Sequence, residues 1–295
     1  MNQDSINKLI KEAFAIEAEE AKSAGALGYM ARAFTLATMP HKKQEGNEFI
    51  RKNGDFKLTM LAPSDVGLPY GALPRLIVAW ISTEAVRTQQ KVLVLGHSMA
   101  EFMEELGLRD SSGGDTGSIK RFKNQMVRLF SCAISCTYNT GEHWAIKHVN
   151  PVSQADLWWQ PKQPDQVTHF ESTLTLGDEF FKEVIKHKVP VDLRVLRELK
   201  RSPLAIDIYC WSTYRVSYLE FPTTIPWFML HNQFGSNYAN NAQGMRNFKK
   251  EFLKELAKVN VFYTALNFEE TNKGLLLRPS KPHIRRVTVG KQLPK

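Results

Sequence analysis

An α+β chain made of two tandem winged-helix units is the fold class that the sequence predicts, and three observations predict it. The segments IKRFKNQMVRLF (119–130) and MRNFKKEFLKEL (245–256) carry the same apolar spacing: Ile119, Phe122, Met126 and Phe130 in the first, Met245, Phe248, Phe252 and Leu256 in the second. Each set falls on one side of a 3.6-residue helix. Superimposing the stripes places Lys120 over Arg246, Lys123 over Lys249 and Arg128 over Lys254, so cations recur in register with the packing. Around both segments one order of elements repeats: helix, short strand, helix, turn, basic helix, hairpin. The net charge of +9 is also concentrated, with twelve Lys and Arg against four Glu between Gly235 and Lys295.

Taken in order, MNQDSINKLIKEAFAIEAEEAKS predicts an acidic amphipathic helix within 1–24, with Asp4 or Ser5 as its cap. GYMARAFTLATMP reads as a strand or a short mixed element. EFIRKNGDFKLTMLAP alternates about Asn53-Gly54 and predicts a hairpin, whose type I′ turn needs positive φ at both central residues. LPYGALPRLIVAWISTEAVRTQ predicts a largely buried helix starting near Pro74, with Leu73, Ile77, Trp80, Ile81 and Ala85 on one face. KVLVLG is a short strand. HSMAEFMEELGL is a helix capped by Ser98 with Glu101 three residues on, and closed at Gly107. The loop RDSSGGDTGS leads into the first basic helix, and AISCTYNTGEHWAIKHV predicts a hairpin turning at Asn139 to Glu142, which completes a first unit at 25–150.

The stretch 151–168 is rich in proline and poor in periodic apolar residues, and is expected to connect the units. The second unit spans 169–286. It begins with the strand HFESTLTLG and the helices DEFFKEVIKH and VDLRVLRELK, then RSPLAIDIYCWSTYRVSYL, where Ser202 caps and Pro203 takes the first helical position. IPWFMLHNQFG is a strand running into a helix that ends at Gly235. The second basic helix follows, then VNVFYTALNFEETNKGLLLRPS, a hairpin turning near Glu269 to Lys273, and a basic tail at 287–295. The chain therefore reads as an internal duplication diverged beyond identity.

Composition narrows the function classes. With 43% hydrophobic and 23% charged residues and no apolar tract of bilayer length, the chain reads as globular and non-membrane. The opening segment lacks the blocks of a signal peptide, so a cytoplasmic location is expected. Cys132, Cys136 and Cys210 are too few and scattered for a disulfide framework or structural zinc site. RDSSGGDTGS lacks the Gly-Lys-Ser/Thr of a P-loop, His143 has no second His at ligand spacing, and no nucleophile-and-base spacing occurs. Neither an enzyme nor a cofactor is expected.

Clustered cations on one element attract a polyanion, because neutralised phosphates release condensed counterions. Double-stranded DNA is the expected partner. If the apolar stripes anchor, the first helix turns Lys120, Arg121, Lys123, Asn124 and Arg128 outward, and the second Arg246, Asn247, Lys249, Lys250 and Lys254, with Gln243 near its entry end. Arg and Lys pair with guanine edges and Asn or Gln with adenine, so both sets mix base readers with phosphate contacts. Arg246, Asn247 and Lys250 are the expected readers and Lys254 a clamp. Lys273, Arg278, Lys281, Arg285 and Arg286 are expected on phosphates, although PSKPHIRR reads equally as a solvated basic terminus.

GNEFIRKNGDFKLTMLAPSDVGLPYGALPRLIVAWISTEAVRT, VLGHSMAEFMEELGL and GSIKRFKNQMVRLFSC closely resemble the RepA-type replication initiators of broad-host-range bacterial plasmids. The resemblance runs over roughly residues 25 to 285 and is most specific in LPYGALPRLIVAWI. It implies tandem winged helices, binding to repeated origin sites (iterons), opening of an AT-rich segment, and recruitment of the host initiator and replicative helicase. It also implies homodimers paired through the first domain. A winged-helix transcriptional regulator without an initiation role would use the same surface and is the alternative reading.

Overall fold

The computed structural model describes residues 3–17, 19–108, 117–159 and 171–284. The N-terminal half opens with α1 (Gln3–Glu17), β1 (Leu27–Ala31) and α2 (Arg32–Leu36), so GYMARAFTLATMP is indeed a mixed element. A hairpin follows, β2 (Glu48–Asn53) and β3 (Phe56–Leu61), then α3 (Ala72–Thr88), β4 (Val92–Val94), α4 (Met99–Glu105) and α5 (Ser118–Ser131). β5 (Ala133–Asn139) and β6 (Trp144–His148) form the hairpin after the first basic helix.

The β2–β3 turn sits one residue later than expected. Asn53 pairs with Phe56, so Gly54 and Asp55 make the loop. Of these residues only Gly54 has a positive φ, +57°. One left-handed residue therefore suffices, and the type I′ expectation of two does not hold.

β7 (Val152–Asp156) lies within the stretch expected to connect the units, and it pairs with β8 (Thr173–Leu176). The C-terminal half continues through α6 (Asp178–His187), β9 (Lys188–Asp192), α7 (Leu193–Glu198) and α8 (Pro203–Val216). It closes with β10 (Thr223–Pro226), α9 (Trp227–Phe234), α10 (Ala242–Phe262) and the hairpin β11 (Phe268–Glu270) and β12 (Gly274–Leu277). VDLRVLRELK thus begins as strand β9 before turning helical, because β9 finds a partner distant in sequence. Leu27 to Ala31 of β1 pair antiparallel with Asp192 to Lys188. Local patterning could not reveal that partner.

Element order recurs between the halves, but strand pairing does not. In the second, β10, β12 and β11 form one sheet, with the strand before the basic helix beside the hairpin after it. In the first, the β2–β3 hairpin pairs beside β5, the first strand of the following hairpin, giving the order β2-β3-β5-β6, while β6 stays an edge and β4 pairs with β8.

α3 and α8 are the central helices, and both are buried nearly all round. That fits their runs LIVAW and LAIDIYCW, which are apolar without a polar face. Ser202 caps α8 by accepting from the Ala205 N–H, and Ser98 caps α4 by accepting from the Glu101 N–H, both as expected. Each central helix nevertheless carries one buried ion. The Arg75 guanidinium, 1% exposed, donates from Nε and Nη2 to the two oxygens of Asp207, at 2.7 Å each. It also donates to the carbonyls of Met39, Pro40 and Gly71. His41 lies 2.7 Å from Asp207 through Nε2.

These bonds join the halves. Nearby, Thr38 donates to the Gln233 carbonyl, Gln233 donates to the Thr35 carbonyl, and Arg51 donates to the Asn232 carbonyl. One contiguous hydrophobic core, running from Ile16 to Leu277, lies behind them.

Candidate nucleic-acid interface

On α5, Phe122, Met126 and Leu129 are fully buried while Ile119 and Phe130 are partly so, which makes the expected stripe an anchor. Phe122 packs on Phe102 of α4 with ring centroids 5.6 Å apart. Opposite the stripe, Lys120, Arg121 and Lys123 are exposed, and among the described residues none has an ion pair or side-chain hydrogen bond. Asn124 is exposed too, but its Oδ1 accepts from Arg128 Nε at 2.6 Å.

Arg128 itself is half-buried and turned inward along the surface. It donates to the Leu68 carbonyl and lies over the Tyr70 ring, 5.7 Å from its centroid. Buried Gln125 accepts from the Tyr70 N–H. A Cβ on Gly67, whose φ is +77°, would stand 2.6 Å from Arg128 Nη1, so glycine is what permits this approach. Arg128 therefore fastens the loop before α3 to the basic helix.

α10 is capped by Asn241, whose Oδ1 accepts from the Gly244 N–H at 2.7 Å. Gly244 is buried against the Ala239 backbone, and a Cβ there would fall on the Ala239 carbonyl. Phe248, Phe252, Leu256 and Val259 are fully buried. Phe248 and Phe252 pack among Trp211, Trp227, His231, Phe234 and Tyr238, mostly edge to face.

The outward row holds Gln243, Arg246, Asn247 and Lys250, all exposed. Gln243 accepts from Arg246 Nη2 at 2.6 Å and donates to Asn247 Oδ1 at 2.9 Å, an ordered polar ladder on the first turns of the helix. Lys250 has no partner among the described residues. Lys249 is half-buried between Glu270, 2.7 Å away, and the Trp227 ring, 4.9 Å from its centroid. It ties α10 to the following hairpin. Lys254 pairs with Glu251 at 3.0 Å, and Lys258 with Glu255 at 2.6 Å. On α10, uncompensated charge is thus confined to Arg246 and Lys250, and the cation register read from sequence separates into free and structural members.

Lys273 is exposed in the turn between β11 and β12. Arg278 is paired with Glu269 at 2.8 Å. Lys281 is exposed, while its carbonyl accepts from the Tyr263 hydroxyl. Arg285 and Arg286 lie outside the described residues.

The Arg75–Asp207–His41 network escaped sequence reading. Its signal was present, since a lone Arg and a lone Asp inside otherwise apolar helices require partners. Burial raises the Asp207 carboxyl, but the Arg75 charge and the hydrogen bonds from His41 and Arg75 outweigh it and hold it below the usual carboxylate range. Burial lowers the His41 imidazole, with Arg75 and Arg51 adding to that, against the opposing pull of Asp207. An ionised carboxylate only accepts, so Nε2 of a neutral His41 carries the proton and Nδ1 faces Ser236 Oγ at 3.4 Å.

A depressed histidine is protonated more readily unfolded than folded. Its contribution to stability is complete above about pH 6.5 and is lost as pH falls below that value. The Asp207 contribution persists to lower pH and disappears only in the carboxylate range. We expect the unfolding temperature to fall between pH 7.5 and 5.5, and His41→Gln to flatten that fall. An unchanged slope in the variant would assign the effect to other groups.

A sequence profile described as "Plasmid encoded RepA protein" matches residues 68–224, more than half of the chain. The chain belongs to this RepA family. The matched span runs from the loop before α3 through α5 and its hairpin to the start of β10, and it supports a role in initiating plasmid replication. It ends before α10, so the second basic helix of this RepA-family chain stands on its own geometry. No sequence match is found among curated proteins.

Solved structures that resemble the RepA-family chain include two of RctB domains. One is "domain2 and domain 3 of RctB", with a TM-score of 0.55 at 11% identity, covering 86% of this chain and 99% of that one. The other is "RctB domains 2-3", with a TM-score of 0.51 at 12% identity, covering 83% and 94%. At these identities the likeness is one of fold, and it extends over both halves. No helix among the described residues is long and apolar enough to cross a membrane.

Proposed function

We propose that this chain is a cytoplasmic plasmid replication initiator that binds repeated origin sites as a sequence-specific duplex reader. Each half acts as a winged helix, over 25–150 and 169–286. α5 and α10 enter successive major grooves, and the hairpins that follow them lie along the backbone. The observation that carries this reading is the uncompensated charge of Lys120, Arg121 and Lys123 on α5, and of Arg246 and Lys250 on α10, each projecting from a helix whose opposite face is locked into the core. The bonds between halves support it further, since they fix one basic helix relative to the other.

Bound side by side on an array, several copies would strain the neighbouring duplex, and a segment of flexible steps would open first. The chain then serves as a platform for the host initiator and helicase, and no bond-making step is assigned to it. A footprint over DNA flanking the coding region tests the reading. Protection at regular intervals is expected, whereas one lone palindrome would favour the regulator.

Pairing of two copies through the first domain has a surface to use. The register of the four-stranded sheet puts Ile50, Thr59, Leu61, Thr137, Trp144 and Ile146 on one face, where Trp144 is 67% and Ile146 50% exposed. Both β2 and β6 are edge strands. Sedimentation should find wild type self-associating and Trp144→Glu monomeric. A wild type that stays monomeric at tens of micromolar would remove the dimer from this account.

A further inference from the structure

A cavity of about 780 Å³ opens where α3, α5 and the turn between α7 and α8 meet. Three of its cations, Lys120, Arg121 and Arg128, come from α5, and two, Lys200 and Arg201, come from the α7–α8 turn of the other half. Among the described residues that line it there is no carboxylate. Asp207 lies beneath, but its two oxygens are already saturated by Arg75 and His41, so it offers the cavity little compensation. Lys200 is aimed by donating to the Gly107 carbonyl at 2.7 Å. Arg201 is exposed, and like Lys120 and Arg121 it has no ion pair among the described residues. Five like charges around one concavity focus a positive potential that only an anion relieves.

We propose that this cavity seats backbone phosphate of the duplex held by α5, with Lys200 and Arg201 as contacts supplied by the second half. The inference rests on the DNA-binding reading above and adds a junction contact to the two helices. Phosphate is the shared chemistry, and a DNA backbone and a free nucleotide could both bring it. Two features favour the backbone. Lys120 and Arg121 belong at once to the cavity wall and to the exposed face of α5, so the cavity is continuous with the surface a groove would cover. Of the two rings in the lining, His41 is buried and Tyr70 already has one face under the Arg128 guanidinium, which leaves a nucleobase little to stack on.

The test compares the full-length chain with Arg201→Ala, with Lys200→Ala, and with Lys186→Ala as an exposed cation on α6 away from the cavity. Binding is measured against salt, on a duplex carrying the footprinted site and on a random duplex. Each cavity variant should reduce the magnitude of the log–log salt slope by about 0.9, the increment for one phosphate of B-DNA, equally on both duplexes. Lys186→Ala should leave the slope unchanged, and Arg201→Ala should keep the wild-type unfolding temperature. In a second arm ATP and pyrophosphate are titrated calorimetrically without DNA, and no saturable binding is expected. An unchanged slope in Arg201→Ala, while Lys120→Ala lowers it, would overturn the junction contact and leave the DNA reading standing. Micromolar pyrophosphate binding lost in Arg201→Ala would overturn it in favour of a free-phosphate site. A wild type that binds neither duplex would sink the proposal together with the reading beneath it.

Discussion

Asp207→Ala should cost about 3 to 5 kcal/mol of unfolding free energy, the range for removing one partner of a buried ion pair. Arg75 would remain fully buried with its charge uncompensated, because the other groups around it are the carbonyls of Met39, Pro40 and Gly71. Those dipoles satisfy donors but carry no net charge. Asp207→Asn should lose less, since it keeps the shape and one acceptor. Replacing both partners, by Arg75→Met with Asp207→Leu, should recover part of the loss. Full recovery is not expected, because the three carbonyls and His41 would then lack their partners. Denaturant titration measures all three variants. A cost below about 1 kcal/mol for Asp207→Ala would place Arg75 in contact with water and contradict its burial.

On DNA the largest single loss is expected from Arg246→Ala. A guanidinium that pairs with a guanine edge is worth about 1 to 3 kcal/mol of discrimination, so specific affinity should fall while random-sequence affinity falls less. Part of the effect is preorganisation, because Gln243 already holds the Arg246 fork at 2.6 Å and positions Asn247 beside it. Gln243→Ala should therefore weaken specific binding even if Gln243 touches no base. Lys254→Ala should do little to sequence preference, as its ammonium is paired with Glu251 along the helix. Gel-shift titrations on specific and random duplexes separate these cases. Equal losses on both for Arg246→Ala would make it a phosphate contact instead of a reader.

Local signals in the sequence were reliable where the chemistry was local. The two apolar stripes, the Ser98 and Ser202 caps and the hairpin after the first basic helix all depend on residues within a few positions of one another, and each appears where the spacing placed it. The second hairpin starts later than its expected stretch, because Val259 to Phe262 continue α10 and the first strand is only Phe268–Glu270. Pairing between distant strands was not legible. β4 reads like β10 as a short apolar strand, yet it joins β8 and leaves β6 as a sheet edge. The same limit applies to the candidate interface. Exposure of Lys120 and Lys250 follows from the helical wheel, but the diversion of Lys249 to Glu270 and Trp227, and of Arg128 to Leu68 and Tyr70, depends on what folds against each helix. Lys200 and Arg201 carried no signal of their own, since two cations at a helix start resemble any solvated turn.

Hydroxyl-radical footprinting on a single repeat tests most directly whether the two basic helices grip one stretch of duplex. Wild type should protect two backbone segments about one helical turn apart. Neutralising Lys120, Arg121 and Lys123 should open one of them, and neutralising Arg246 and Lys250 the other. A single protected segment, indifferent to one of the two sets of substitutions, would contradict that grip.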